Sequence, residues 1–334
     1  MALSRTWYTD ANIDVAESGS QEKHLKSVAW GLKALLTGQI TGSQGSTGAA
    51  PTGSYWTCVS SSDGTTADTS DNWGSSYDAS KLVRATNSNP HSWIVLKSPN
   101  NIASDGPYYL LFDMDSSSGG SMTVRYSKNN FTGGTNTTSP TSVGSLEINQ
   151  YIQFYADSDT LLPVYYSITR DANGGFYFIA VKQSTGAITY FSLVGLDDMQ
   201  NNDSWRVWSS FSSFSNTNSL AGSAIASIKL IGRTYNSAAV SSTYDSNCFI
   251  NMVSVAGSAL YSVNSFDANT GNYFTFPFFI YSSNTGLGGY RGRLPDAQFI
   301  GTGKNTGDVV PSVGNIEQCL IGNLLLPFGV STGA

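Results

Sequence analysis

The sequence predicts a mainly β protein: one or two antiparallel β-sandwich domains, preceded by an N-terminal amphipathic helix and a flexible tether. Three observations carry this expectation. Short runs of β-branched and aromatic residues recur from residue 55 onward, Gly- and Asn-rich turn clusters separate them, and one stretch near the N-terminus has helical periodicity instead. A chain of 334 residues suits one large or two ordinary domains, since domains usually run to about 100–200 residues. The expected organisation is an N-terminal arm over 1–54, a first sandwich over 55–160 and a second over 161–334.

In the arm, Leu25, Val28, Ala29, Leu32, Leu35 and Leu36 are spaced by three and four residues, which places them on one helical face. Ser18 followed by Gln21 has the form of a capping box, and Gly38 supplies a residue able to take the left-handed conformation that ends a helix. The helix is therefore expected near residues 20–37. The stretch TGQITGSQGSTGAAPTGS (37–54) has no periodicity and reads as a tether. A helix on a tether suggests a docking arm, with Leu25, Val28, Leu32, Leu35 and Leu36 as its contact residues. Packing of the helix on its own domain is equally compatible, because an apolar stripe identifies burial without saying against what.

Beyond the tether, HSWIVLK (91–97), YYLLF (108–112), SMTVRY (121–126) and YIQFY (151–155) have strand composition. VYYSIT (164–169), FYFIAVK (176–182) and AITYFSLV (187–194) form the clearest meander. Asp63-Gly64, Asp105-Gly106, Asn173-Gly174 and Thr185-Gly186 punctuate these runs as hairpin turns, where glycine takes positive φ without steric cost. Further runs follow at 224–231, 248–255, 273–281 and 317–326. No repeat of about 20–50 residues is present, which argues against a propeller or solenoid.

Only 12% of residues are charged, roughly half the globular average of about 25%. The net charge is −6, and the 17 Lys and Arg are scattered, so neither nucleic acid nor an anionic membrane surface is an expected partner. The N-terminus lacks a signal-peptide pattern, and the longest apolar run, 273–281, has strand length. The chain is expected to be made and kept inside a cell until it joins an assembly. Cys58, Cys248 and Cys319 are odd in number and widely spaced, which suggests neither a disulfide framework nor a zinc site.

The usual catalytic constellations are not legible. His24 sits at the polar start of the helix and His91 follows Asn89-Pro90 before a strand, and no GxSxG occurs. Asp68, Asp71, Asp113, Asp115, Asp157, Asp159, Asp197 and Asp198 read as turn-capping residues. The Gly-rich stretches 286–292 and 301–307 lack the Lys-Ser/Thr and following helix of a phosphate loop. Trp56, Trp73, Trp205 and Trp208 have the chemistry to stack on sugar rings, but aromatics at alternating strand positions are more often core. The expectation is a non-enzymatic chain with no catalytic residue, no cofactor and no metal.

Three stretches taken together, YWTCVSSSDG (55–64) with DNW (71–73), HSWIVL (91–96), and GYRGRLPD (289–296) before IGNLLLPF (321–328), span most of the chain. In their order and spacing the chain resembles virion structural proteins of tailed bacteriophages. The resemblance implies a particle component of the tail, baseplate or neck, made in the host cytoplasm and located in the virion. Its partners would be copies of itself, as a symmetric homo-oligomer, and neighbouring virion proteins. The alternative is a head-decoration or receptor-binding protein that attaches to a host surface glycan. The resemblance supplies no catalytic residues. Within GYRGRLPD, Arg291 and Arg293 flank a glycine and have the fork geometry to pair with a carboxylate such as Asp296, in a turn stiffened by Pro295. These three are the candidate structural-turn or interface residues, and a purely local stabilising role is the alternative.

Overall fold

A computed structural model describes residues 4–9, 20–39, 44–47, 53–68, 70–78, 91–99, 107–114, 121–142, 148–153, 164–170, 174–182, 187–195, 197, 206–213, 227–231, 244–245, 248–250, 266–267, 272–273, 275–282, 289–300, 309–311, 316–321 and 324–330. These residues are mainly strands in antiparallel sheets, with one helix. The chain divides into two compact units, Met1–Thr189 with Ser212–Asn216, and Tyr190–Phe211 with Thr217–Ala334. Segments 1–54 and 55–160 both fall in the first unit.

In chain order the first unit contains β1 (Ser4–Thr9), α1 (Ser20–Thr37), β2 (Gln44–Thr47), β3 (Thr57–Asp63), β4 (Ala67–Asp68), β5 (Ser92–Lys97), β6 (Tyr109–Asp113), β7 (Ser121–Ser127), β8 (Phe131–Thr132), β9 (Thr141–Ser142), β10 (Ile148–Gln153), β11 (Val164–Arg170) and β12 (Phe176–Lys182). Strands β2-β1-β11-β12 lie side by side in that order. A six-stranded sheet runs β10-β7-β6-β5-β3-β4, and β8 and β9 form a separate pair. The N-terminal β1 is a full sheet member, pairing with β11 from Ser4↔Arg170 to Thr9↔Tyr165.

The centre of the six-stranded sheet is buried on both faces, which is why β5 and β6 read as continuous apolar runs rather than alternating ones. The registers Ile94↔Phe112, Leu96↔Leu110, Leu110↔Tyr126 and Phe112↔Val124 put these side chains on one face. Trp93, Val95 and Leu111 occupy the other, where Phe131 from β8 covers them. A bulge between Cys58 and Ser60 shifts the β3 register and packs Val59 against that second cluster.

Helix α1 packs against β1, β3 and β11. Every residue from Val28 to Leu36 is buried, Trp30, Lys33 and Ala34 as well as the leucine stripe. A helix covered all round is a core helix. Each fully buried leucine there contributes about 1.5–3 kcal/mol. The chain leaves α1 through Gly38 at φ 75, where a Cβ would meet the Tyr55 ring at 2.7 Å. It is then tied back, because the amide of Trp56 donates to the Leu36 carbonyl at 3.0 Å. Gly174, just ahead of β12, is held similarly: Trp56 Nε1 donates to its carbonyl at 2.9 Å, and Gly174, at φ 80, lies so close to Pro99 that a Cβ would approach its ring to 2.6 Å.

The second unit contains β14 (Arg206–Ser213) as far as Phe211, β15 (Ser227–Ile231), β16 (Tyr244–Asp245), β17 (Cys248–Ile250), β18 (Phe266–Asp267), β19 (Asn272–Tyr273), β20 (Thr275–Ser282), β21 (Gly289–Ile300), β22 (Val309–Pro311), β23 (Ile316–Ile321) and β24 (Leu324–Val330). Strand β13 (Ala187–Gly195) begins in the first unit and continues into the second. One sheet runs β17-β20-β21-β24-β23-β22, and β18 pairs with β19. Among the described residues, no helix is long and apolar enough to cross a membrane.

Candidate functional site

Among the described residues, the strongest concentration of chemistry-bearing side chains lies on one face of the six-stranded sheet. Asp113 ends β6 opposite Trp93 of β5, and Arg125 on β7 stands opposite Leu111, one diagonal step away. His91 immediately precedes β5. Ser139 arrives from residues 133–140, which connect β8 to β9 across the sheet face. His91 Nε2 lies 2.5 Å from Asp113 Oδ1, Ser139 Oγ donates a short hydrogen bond to Asp113 Oδ2, and Arg125 Nη2 is 3.7 Å from Oδ2. The Asp113 and His91 side chains are 1% and 4% exposed. A carboxylate this deep persists only with partners of this kind, because transfer from water costs several kcal/mol for an uncompensated ion.

The segment that delivers Ser139 is itself braced. Trp93 Nε1 donates to the Thr135 carbonyl at 2.9 Å, and the His91 amide donates to the Asn136 carbonyl at 2.9 Å. Asn136 Nδ2 donates to the Thr65 carbonyl at 2.9 Å. Gly134 passes so close to Trp93 that a Cβ would sit 2.5 Å from its Cζ2 atom, so no other residue fits there without displacement.

Serine, histidine and aspartate thus meet, but not as a nucleophilic relay. A relay needs the carboxylate on one imidazole nitrogen and the hydroxyl on the other, with the hydroxyl proton directed at the imidazole. Here Ser139 Oγ, 3.0 Å away, and Asp113 both face the same nitrogen, Nε2, and the Ser139 proton is committed to Asp113. With the single proton on Nε2 shared between Oδ1 and the Ser139 oxygen, each contact has a donor and an acceptor. Chemically this is a clamp that closes the 133–140 segment onto the sheet.

A second cluster surrounds Lys33 on α1. Its ammonium donates to the Gly74 carbonyl and lies 2.5 Å from Asp71 Oδ2, the lysine side chain being 0% exposed and the aspartate 17%. Asp71 Oδ1 accepts from the Trp73 amide at 3.2 Å, and Trp73 Nε1 donates to the Ser62 carbonyl at 2.8 Å. Loss of hydration pushes the Lys33 pKa down, outweighing the pairing with Asp71. Burial pushes the Cys58 thiol up to about 12, and the Asp71 carboxylate adds to the rise.

Of the residues the sequence nominated, Val28, Leu32, Leu35 and Leu36 are at most 1% exposed, so this face of α1 is already covered within the chain. Leu25 lies in the first half of α1. Arg291, Arg293 and Asp296 do not form a turn; all three belong to the long strand β21. Arg293 exchanges two backbone hydrogen bonds of 2.8 Å with Asp197, and its Nη2 is 4.0 Å from the Asp197 carboxylate. Asp296, at φ 51, accepts through its backbone carbonyl from Gln318 Nε2 at 2.8 Å, where β21 slips register against β20 between Pro277 and Phe279. Trp56 and Trp73 are at most 2% exposed and are not available to stack on a sugar. Trp205, Asp115, Asp157, Asp159 and Asp198 lie outside the described residues.

Lys33, Ser139 and Arg125 were not nominated. Lys33 had a visible signal, a single charge inside an otherwise apolar stretch from 28 to 36. Ser139 had none, because its role depends on residues 133–140 crossing the sheet. Among the described residues, no group of three or more His, Cys, Asp or Glu has the placement to hold a metal ion. No protein family, curated protein or solved structure matches this chain.

Proposed function

We propose that the chain is a non-enzymatic structural component of a tailed-phage particle, with its β units folded as sandwiches and assembled as a symmetric homo-oligomer in the tail, baseplate or neck. The observation that carries this reading is the closure of the His91–Asp113–Ser139 cluster. Among the described residues, those best equipped for hydrolytic chemistry spend their hydrogen bonds on holding a segment to a sheet. Two further features support it: the sparse charge of a chain with 34 Gly, suited to close packing of many copies, and the run of motifs from residue 55 to 328 that resembles phage virion proteins. The arm reading is set aside in this proposal. The interface is assigned to the β units, since the Val28–Leu36 face of α1 is buried at home.

Particles produced in cells expressing this chain should contain it in fixed stoichiometry by quantitative mass spectrometry, and immunogold labelling should decorate one location. The purified chain should sediment as a closed oligomer. A chain that is monomeric and absent from particles would end the proposal. Specific binding on a glycan array would instead favour the receptor-binding alternative.

A further inference from the structure

We propose that Lys33 and Asp71 join in an intramolecular isopeptide bond, an amide between Nζ of the lysine and Cγ of the aspartate, which fastens α1 covalently to the 70–78 segment. The inference is independent of the phage reading and rests on how the fold presents the two groups. Lys33 is held within a helical stretch buried on every side. Its amine lies 2.5 Å from Asp71 Oδ2, an oxygen itself shielded from solvent. The carboxyl group is oriented from its other side by the Trp73 amide on Oδ1, and the amine is steered by the Gly74 carbonyl. Trp30, one helical turn before Lys33, and Trp73, two residues beyond Asp71, are both fully buried, and Trp30 packs edge-to-face with Tyr77 at 6.1 Å between ring centroids.

Two physical effects favour reaction. Loss of hydration disfavours the ammonium form of Lys33, and a neutral lysine amine is a nucleophile. Holding both reactants in one geometry supplies an effective concentration of about 10⁵–10⁸ M, against which the competing hydrolysis has little water to draw on. The step balances within the pair. The ammonium passes one proton to the carboxylate, the nitrogen lone pair attacks Cγ, and the C–N bond forms as a C–O bond breaks; the nitrogen gives a second proton to the departing oxygen, which leaves as one water. No oxidant, reductant or co-reactant takes part.

The test is the intact mass of the purified full-length chain. The expected mass is lighter than the sequence by one water, and protease digestion should yield a single species in which the peptides carrying Lys33 and Asp71 are joined. Lys33→Arg should restore the full mass. Cyclisation at Asp63-Gly64 or Asp105-Gly106 also loses one water, so the sample is treated with hydroxylamine, which opens such imides and leaves an isopeptide amide intact. A full sequence mass, a deficit abolished by hydroxylamine, or a digest without the joined peptides overturns the proposal. All three readouts use the unsubstituted protein, so the answer does not depend on the variant folding.

Discussion

Asp113 and Lys33 are both buried charges of the first unit, but the fold treats them differently. The Asp113 carboxylate is met by His91 on one oxygen and by Ser139 and Arg125 on the other. Two of its partners sit beside it because of strand register, which repeats at a fixed spacing and delivers side chains to one face predictably. Lys33 instead projects from a helix to residues 70–78, a contact no ladder organises. It meets one carboxylate and one carbonyl, and desolvation prevails over pairing. Sheet geometry yields a charge met on both oxygens that braces a segment; the helix-to-loop contact yields a charge for which loss of hydration outweighs pairing.

The most direct way to break this comparison is Asp113→Ala, which leaves His91 and Arg125 facing a void where the carboxylate stood. Removing one partner of a buried pair costs about 3–5 kcal/mol, and urea unfolding followed by tryptophan fluorescence should show a loss of that order. A loss under about 1 kcal/mol, the worth of an exposed pair, would mean the cluster is solvated. Comparable in size to the loss of Ser139 is Gly134→Ala, whose methyl would collide with Trp93 and Pro140. Overpacking of this kind costs about 1–3 kcal/mol, and hydrogen exchange should show residues 133–140 loosened ahead of the sheet. Ser139→Ala, which removes one hydrogen bond to a charged group, is expected to cost about 1.5–3 kcal/mol; equal losses for Ser139→Ala and Asp113→Ala would deny the carboxylate its central place.

The smallest effect sharpens the other half of the comparison. With its pKa raised from 9.0 to about 12, Cys58 keeps its proton in the folded state over a range where the unfolded chain has lost it, so its contribution to stability falls as pH rises from about 9 toward 12. Lys33 has the opposite sign. Its folded pKa lies below 10.5, so the unfolded chain binds the extra proton and stability rises as pH approaches 10.5. Comparing Cys58→Ala with the parent chain separates the two limbs. If Lys33 is already acylated, the rising limb is absent in both, and thiol absorbance should show the Cys58 thiolate forming near pH 12 in the folded protein.

Much of the first unit was legible in the sequence. The three- and four-residue spacing from Leu25 to Leu36 falls on α1, and HSWIVLK and FYFIAVK fall on β5 and β12, because local periodicity and β-branched content act at the range of a few residues. The Gly64 and Gly174 turns were legible for the same reason: only glycine meets φ 90 and φ 80 without strain. Less legible was where residues 4–9 go, since their pairing with β11 spans the unit. GYRGRLPD has turn composition yet lies within a long strand, where a bulge with Asp296 at positive φ absorbs the irregularity. The aspartates look alike in the sequence. Asp63 does cap its turn, accepting the Thr65 and Thr66 amides at 2.8 Å each, whereas Asp113 is the hub of a buried cluster.

By itself the sequence determined the secondary-structure type, the positions of the described hairpin turns and the sparse charge of the chain, because these depend on side-chain shape, backbone freedom and composition, which are local or additive. Only the tertiary structure decided that the Val28–Leu36 stretch of α1 is covered on every side, that His91 and Ser139 share a nitrogen and a carboxylate without forming a relay, and that Lys33 lies against Asp71. Those outcomes depend on register and on crossings between segments far apart in the chain. A shift of one residue in a strand moves every side chain to the opposite face, and no local pattern encodes which distant residue waits there.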